Sequence, residues 1–107
     1  MAAYDIQIVS YITTYTSTWD GYCWERDEEV IKEKKKSSVP DMESLRQYLT
    51  ERNHLEVKNG NLKRVDSMTR YETRHSYISY TTTCFFRGGK KIDITQMFQE
   101  VSEKKSA

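Results

Sequence analysis

The sequence predicts an α+β fold: an antiparallel sheet of about five strands with a long N-terminal β-hairpin, in the order ββαβββα, and two helices packed on one face. Three observations predict it. A run rich in Ile, Val, Thr, Tyr and Trp over residues 4–19 is punctuated by Asp20-Gly21 and then resumes, the pattern of a long hairpin. A second turn pair, Asn59-Gly60, sits between period-two patterns. Two segments with apolar residues at helical spacing, each opened by an aspartate, separate and close the strands. Strands joined by tight turns must pair antiparallel, which places both helices in a second layer.

Taken in order, Tyr4, Ile6 and Ile8 share one face of the first strand, whereas Val9, Tyr11, Tyr15 and Trp19 share the other. A period-two strand changes parity only through an extra residue, so a bulge or bend is expected near residues 8–10. A two-residue type I′ turn at Asp20-Gly21 would oppose Trp19 to Tyr22, Ser17 to Trp24 and Tyr15 to Arg26. One face then collects Tyr11, Tyr15, Trp19, Tyr22, Trp24 and Val30, the expected inside. Thr14, Thr16, Thr18, Cys23, Glu25, Asp27 and Glu29 form the expected outside. The stretch "KEKKKSSVP", residues 32–40, is expected to end the second strand. Asp41, or Ser38 with Asp41 three residues on, caps a helix running to about Asn53, whose stripe is Met42, Leu45, Tyr48 and Leu49.

Beyond Asn59-Gly60, with Leu55, Val57 and Leu62 on one face, "RYETRHSYISYTTTCFF" (residues 70–86) also changes parity. Tyr71, Thr73, His75 and Tyr77 precede an expected bulge or turn near residues 75–77. Ile78, Tyr80, Cys84 and Phe86 follow as the expected core set. "RGGKK" reads as a turn. Asp93, with Gln96 three residues on, caps a last helix with Ile94, Met97, Phe98 and Val101 inward. Residues 1–107 form a single domain, and 102–107 are expected to fray.

Composition bounds the function. Hydrophobic residues make up 36% and charged residues 31% of the 107, enough for one core beneath a highly charged surface. The thirteen aromatics exceed what such a core needs, so some rings should meet solvent or a partner. Net charge is +1, but residues 1–53 carry seven basic and ten acidic side chains, and residues 54–107 carry ten and six. The N-terminal residues lack the pattern of a signal peptide, no apolar run suits a membrane span, and two cysteines make no disulfide framework. The expectation is a cytoplasmic protein with reduced thiols and no membrane partner.

No catalytic residue, metal site or cofactor is assigned. Cys23, Cys84, His54 and His75 lack metal-ligand spacing, and "GGKK" is not a phosphate loop. Two partner surfaces are expected. Trp19, Tyr22, Trp24 and Arg26, at the tip of a ribbon long enough to overhang the core, have the composition of a protein hot spot. The leading reading is therefore a non-enzymatic module that docks on a macromolecular partner. A small inhibitor or regulator of a host enzyme, of the kind viruses and mobile elements encode, fits this profile; a second copy of the chain is another candidate partner. The alternative is a nucleic acid or nucleotide, met by Lys58, Lys63, Arg64, Arg70, Tyr71, Arg74, Arg87, Lys90 and Lys91, eight basic residues and a ring against three acids within residues 54–91. A metal-free ribonuclease using His54 and His75 is a third reading.

Overall fold

The computed structural model describes residues 5–106; Tyr4, expected beside Ile6, lies outside them. The elements run β1 (Ile6–Trp19), β2 (Trp24–Val39), α1 (Met42–Glu51), β3 (Glu56–Lys58), β4 (Asn61–Arg70), β5 (His75–Arg87), β6 (Lys90–Ile92) and α2 (Thr95–Ser106). The fold is α+β, as expected. The sheet is antiparallel with order β2-β1-β5-β4-β3, and β6, a short strand the sequence did not announce, pairs with the end of β5. Among the described residues no helix is long and apolar enough to cross a membrane.

Local chemistry explains the ends. Asp41 accepts the Ser44 N–H at 2.8 Å and caps α1. Asp93 accepts the Thr95 N–H at 2.9 Å just before α2. Their donors hold both carboxyls below the usual range: the Ser44 N–H for Asp41, the Thr95 hydroxyl and then its N–H for Asp93. Asn59-Gly60 forms the expected two-residue turn, with φ of 55° and 76°, between Lys58 and Asn61. Gly88-Gly89 does the same between Arg87 and Lys90.

Asp20-Gly21 behaves differently. Asp20 accepts the N–H groups of Tyr22 at 2.8 Å and Cys23 at 2.9 Å, which widens the loop to residues 20–23. These bonds, Cys23 first, lower the Asp20 carboxyl to about 2. The register becomes Trp19 opposite Trp24 and Ser17 opposite Arg26, two residues from expectation. A slip of two preserves parity, so Trp19, Trp24 and Tyr15 still share a face.

Four further corrections follow from the ladders. β1 pairs with β5 without interruption from Ile6 to Thr18, so there is no bulge near residues 8–10. The irregularity lies in β2, where Tyr15 pairs with Val30 but Ser17 with Arg26, leaving residues 27–29 opposite Thr16. "KEKKKSSV" belongs to β2, which runs 16 residues to Val39, because an edge strand keeps its lysines in water while its backbone pairs with β1. The parity change in residues 70–86 is a turn, one of the two expected devices, but it lies at residues 71–74, ahead of the expected 75–77, with Arg70 opposite His75.

The last correction concerns the inside. The core is Ile6, Ile8, Leu45, Leu49, Leu62, Phe85, Ile94 and Val101, backed by Val57, Tyr48 and Phe98. Phe85 pairs with Ile8 and packs edge-on against Tyr48 of α1 at 5.9 Å. The helices therefore cover the Ile8 and Thr14 face of the sheet, the face read as outside. Ile78, Tyr80, Cys84 and Phe86 pair with Tyr15, Thr13, Val9 and Gln7 on the opposite side. Both helices attach at the end of the sheet where Val39 and Ile92 emerge, so the strand residues within reach of their apolar stripes are those of that end: Ile6, Ile8, Leu62 and Phe85, with Val39, Val57 and Ile92 beside them. Each such fully buried side chain contributes about 1.5–3 kcal/mol.

Candidate functional site

Directly opposed residues of antiparallel strands point to the same side, so the register sorts every side chain of the long strands onto one of two faces. On the helix side, beyond the helices, lies a hydroxyl lattice. Ser10 and Thr83 share a hydrogen bond at 2.9 Å, as do Thr14 and Ser79 at 2.7 Å. Thr16 and Thr18 both donate to Asp27, at 2.7 and 3.1 Å. Glu25, Glu33 and Asp66 share this side by register, and Arg64 pairs with Asp66 at 2.9 Å. The extra residues Glu28 and Glu29 line a hollow here with Thr16 and Thr18.

The opposite face carries no helix. β1 contributes Val9, Tyr11, Tyr15 and Trp19; β5 contributes Ile78, Tyr80, Cys84 and Phe86; β4 contributes Val65. Along its edges stand Lys32, Lys34, Lys36 and Arg26 of β2 and Lys63 of β4. On the four long strands every charged residue that the register places on this face is basic; Glu56, on the short β3, stands opposite Lys63. The rings are accessible, with Tyr11 45% and Tyr80 46% exposed. Arg26 lies over the Tyr15 ring at 4.7 Å and Lys34 over Tyr11 at 5.5 Å, and Tyr15 meets Tyr80 edge-on at 6.0 Å. Each exposed cation–ring contact is worth about 0.5–1 kcal/mol, enough to orient the charge above the ring.

At the far end the two hairpin turns meet. The Trp19 N–H donates to the Arg74 carbonyl at 2.9 Å, tying the β1–β2 tip to the β4–β5 turn. Trp19 and Trp24 lie 5.5 Å apart at 58°, and Trp24 and Tyr71 lie 6.5 Å apart at 62°. Together with Arg74 they line a hollow of about 360 Å³. Trp19, Trp24, Tyr71 and Arg74 thus come together from the two separate sets read in sequence. Arg26 stands two residues along β2 from Trp24 on the same face, over Tyr15 and outside the hollow, whereas Tyr22 lies in its loop, 92% exposed.

The remaining basic residues do not form one cluster. Arg64 and Arg70 lie on the helix side, with Arg70 donating to the Met68 sulfur at 3.4 Å. Lys58, Arg87, Lys90 and Lys91 gather at the helix end, where Lys91 donates to the Asn59 carbonyl at 3.1 Å. Sequence reasoning missed Lys32, Lys34 and Lys36. Their alternation with Glu33 and Lys35 would have shown one basic face had the strand been carried past Ile31. His75 starts β5 beside the β4–β5 turn and His54 lies between α1 and β3, so the two imidazoles stand on separate elements. Asp20, Cys23 and Glu25 bring ligand atoms within 4.8 Å of one another at the exposed tip, but the Asp20 carboxylate is already held by its own loop. Cys23 and Cys84 are free thiols, one in the tip loop and one on the open face. Compared with family models, curated proteins and solved structures, the chain matches none.

Proposed function

We propose that the protein is a non-enzymatic binding module that docks on an anionic macromolecule, a single-stranded nucleic acid laid along the open face of the sheet. One observation carries this reading: the register sends Arg26, Lys32, Lys34, Lys36 and Lys63 to the face that bears Tyr11, Tyr15 and Tyr80 and pairs no carboxylate of the long strands there, whereas on the other face Glu25, Glu33 and Asp66 offset Lys35, Arg64 and Arg70. Exposed rings stack on bases whatever their sequence, and flanking cations follow the phosphates. A second copy laid face to face would set these cations against cations with one carboxylate per copy between them, so self-association through this face is disfavoured. The free thiols agree with a reducing, intracellular setting.

Fluorescence anisotropy of labelled single-stranded DNA and RNA across a salt series tests the reading. The triple variant Lys32→Ala, Lys34→Ala, Lys36→Ala should bind more weakly, with the salt slope reduced by about 2. A triple of equal charge on the other face, Lys35→Ala, Arg64→Ala, Arg70→Ala, should bind nearly as wild type. Equal losses in both triples would mean net charge alone is read. Absence of binding by wild type at low salt overturns the reading in favour of a protein partner at the ribbon tip.

A further inference from the structure

We infer that the hollow between the two hairpin turns is a pocket for a single nucleotide, with the base against Trp19, Trp24 and Tyr71 and the phosphate on Arg74. A strand lying along the open face ends or turns at this tip, and the choice of a nucleotide rests on that reading. Three features of the hollow carry the inference independently of the lysine row.

The first is ring geometry. Neighbouring planes are inclined by 58° and 62°, so the rings form an open wedge and do not stack closed on one another. The hollow, about 360 Å³, falls within the range of small-ligand sites, roughly 300–1,000 Å³. The second is charge. Arg74 lines the hollow and no carboxylate does, so a quaternary ammonium, the usual guest of an aromatic cage, would meet a guanidinium. A planar ring system bearing an anion satisfies both halves of the lining. The third is the backbone. Arg74 has φ of 57°, a left-handed conformation that glycine or asparagine adopts at less cost. Its carbonyl nevertheless holds the Trp19 N–H, so this strained position anchors the Arg74 backbone at the edge of the hollow that its residue lines.

The test is a titration of tryptophan emission of the full chain with a nucleoside monophosphate, the matching nucleoside, inorganic phosphate and tetramethylammonium. Saturable quenching is expected from the monophosphate, weaker quenching from the nucleoside, and none from phosphate or tetramethylammonium. Arg74→Gly, which relieves the backbone, should bring monophosphate affinity down to that of the nucleoside. Tyr71→Ala, at a position 79% exposed, should keep the fold and weaken both ligands by about tenfold. The lysine triple should leave monophosphate binding unchanged. No quenching by the monophosphate up to millimolar concentration, alongside retained oligonucleotide binding, overturns the pocket and spares the open face. Monophosphate binding without oligonucleotide binding does the reverse. Saturation by tetramethylammonium overturns the ligand class.

Discussion

Phe85 has no solvent exposure and Phe86, the next residue, stands on the uncovered face of the sheet. The difference is one of parity and reach: Phe85 pairs with Ile8 beneath α1, and Phe86 pairs with Gln7 on the side that no helix approaches. The same reasoning separates residues that look alike in sequence. Phe85→Ala should cost about 3–5 kcal/mol of unfolding free energy, the loss of a large ring from a closed core. Ile78→Ala, half-buried between Tyr15 and Ser67, should cost about 1 kcal/mol, since truncation there removes area without opening a cavity. Urea denaturation of the two variants checks this. Similar losses would mean that the open face is packed as tightly as the helix side.

Among the elements, the Asn59-Gly60 turn does more than join β3 to β4. Gly60 is buried with φ of 76°, its carbonyl accepts the Ile94 N–H at 3.5 Å, and a Cβ placed there would meet the Asp93 carboxyl at 3.0 Å. Asp93 is itself bonded to Thr95, so the turn and the start of α2 are one unit. Gly60→Ala should therefore lower stability by about 2 kcal/mol or more, left-handed strain and crowding together. Gly21→Ala, with φ of 106° and open space around it, should show the backbone cost alone. Most elements were legible: the caps at Asp41 and Asp93 and the turn at Asn59-Gly60 are local chemistry, readable wherever the residues stand. The faces were not. Alternation says that two faces differ, but Tyr11, Tyr15 and Trp19 look more core-like than Ile6 and Ile8. Only the attachment points of the helices decide which side is covered. The tip site was half legible, since Trp19 and Trp24 were read with one partner and Tyr71 and Arg74 with another. No local signal reports that two turns touch.

At the scale of the whole molecule, the chain is a slab of 59 × 35 × 22 Å with its core at one end. Strands of 13 to 16 residues carry the sheet past the helices, so its far half is two-sided and wet. There, stability rests on backbone ladders, hydroxyl pairs and ring contacts, and not on buried area. The basic row that the register sets on one face has a consequence for how the molecule meets any charged solid. Its formal charge is +1 and its isoelectric point about 7.7, values that describe a nearly neutral particle. Across the thin dimension, however, the open side is basic while on the helix side Lys35, Arg64 and Arg70 offset Glu25, Glu33 and Asp66, so the particle is a plate polarised along its short axis. Such a plate adsorbs broadside and presents whichever side complements the matrix. On a sulfonate resin above pH 7.7, where the mean charge is negative, the wild type should still be retained and elute at moderate salt, while the lysine triple passes through. The triple of equal charge on the other side should stay bound, which makes column retention a gauge of facial charge and not of net charge.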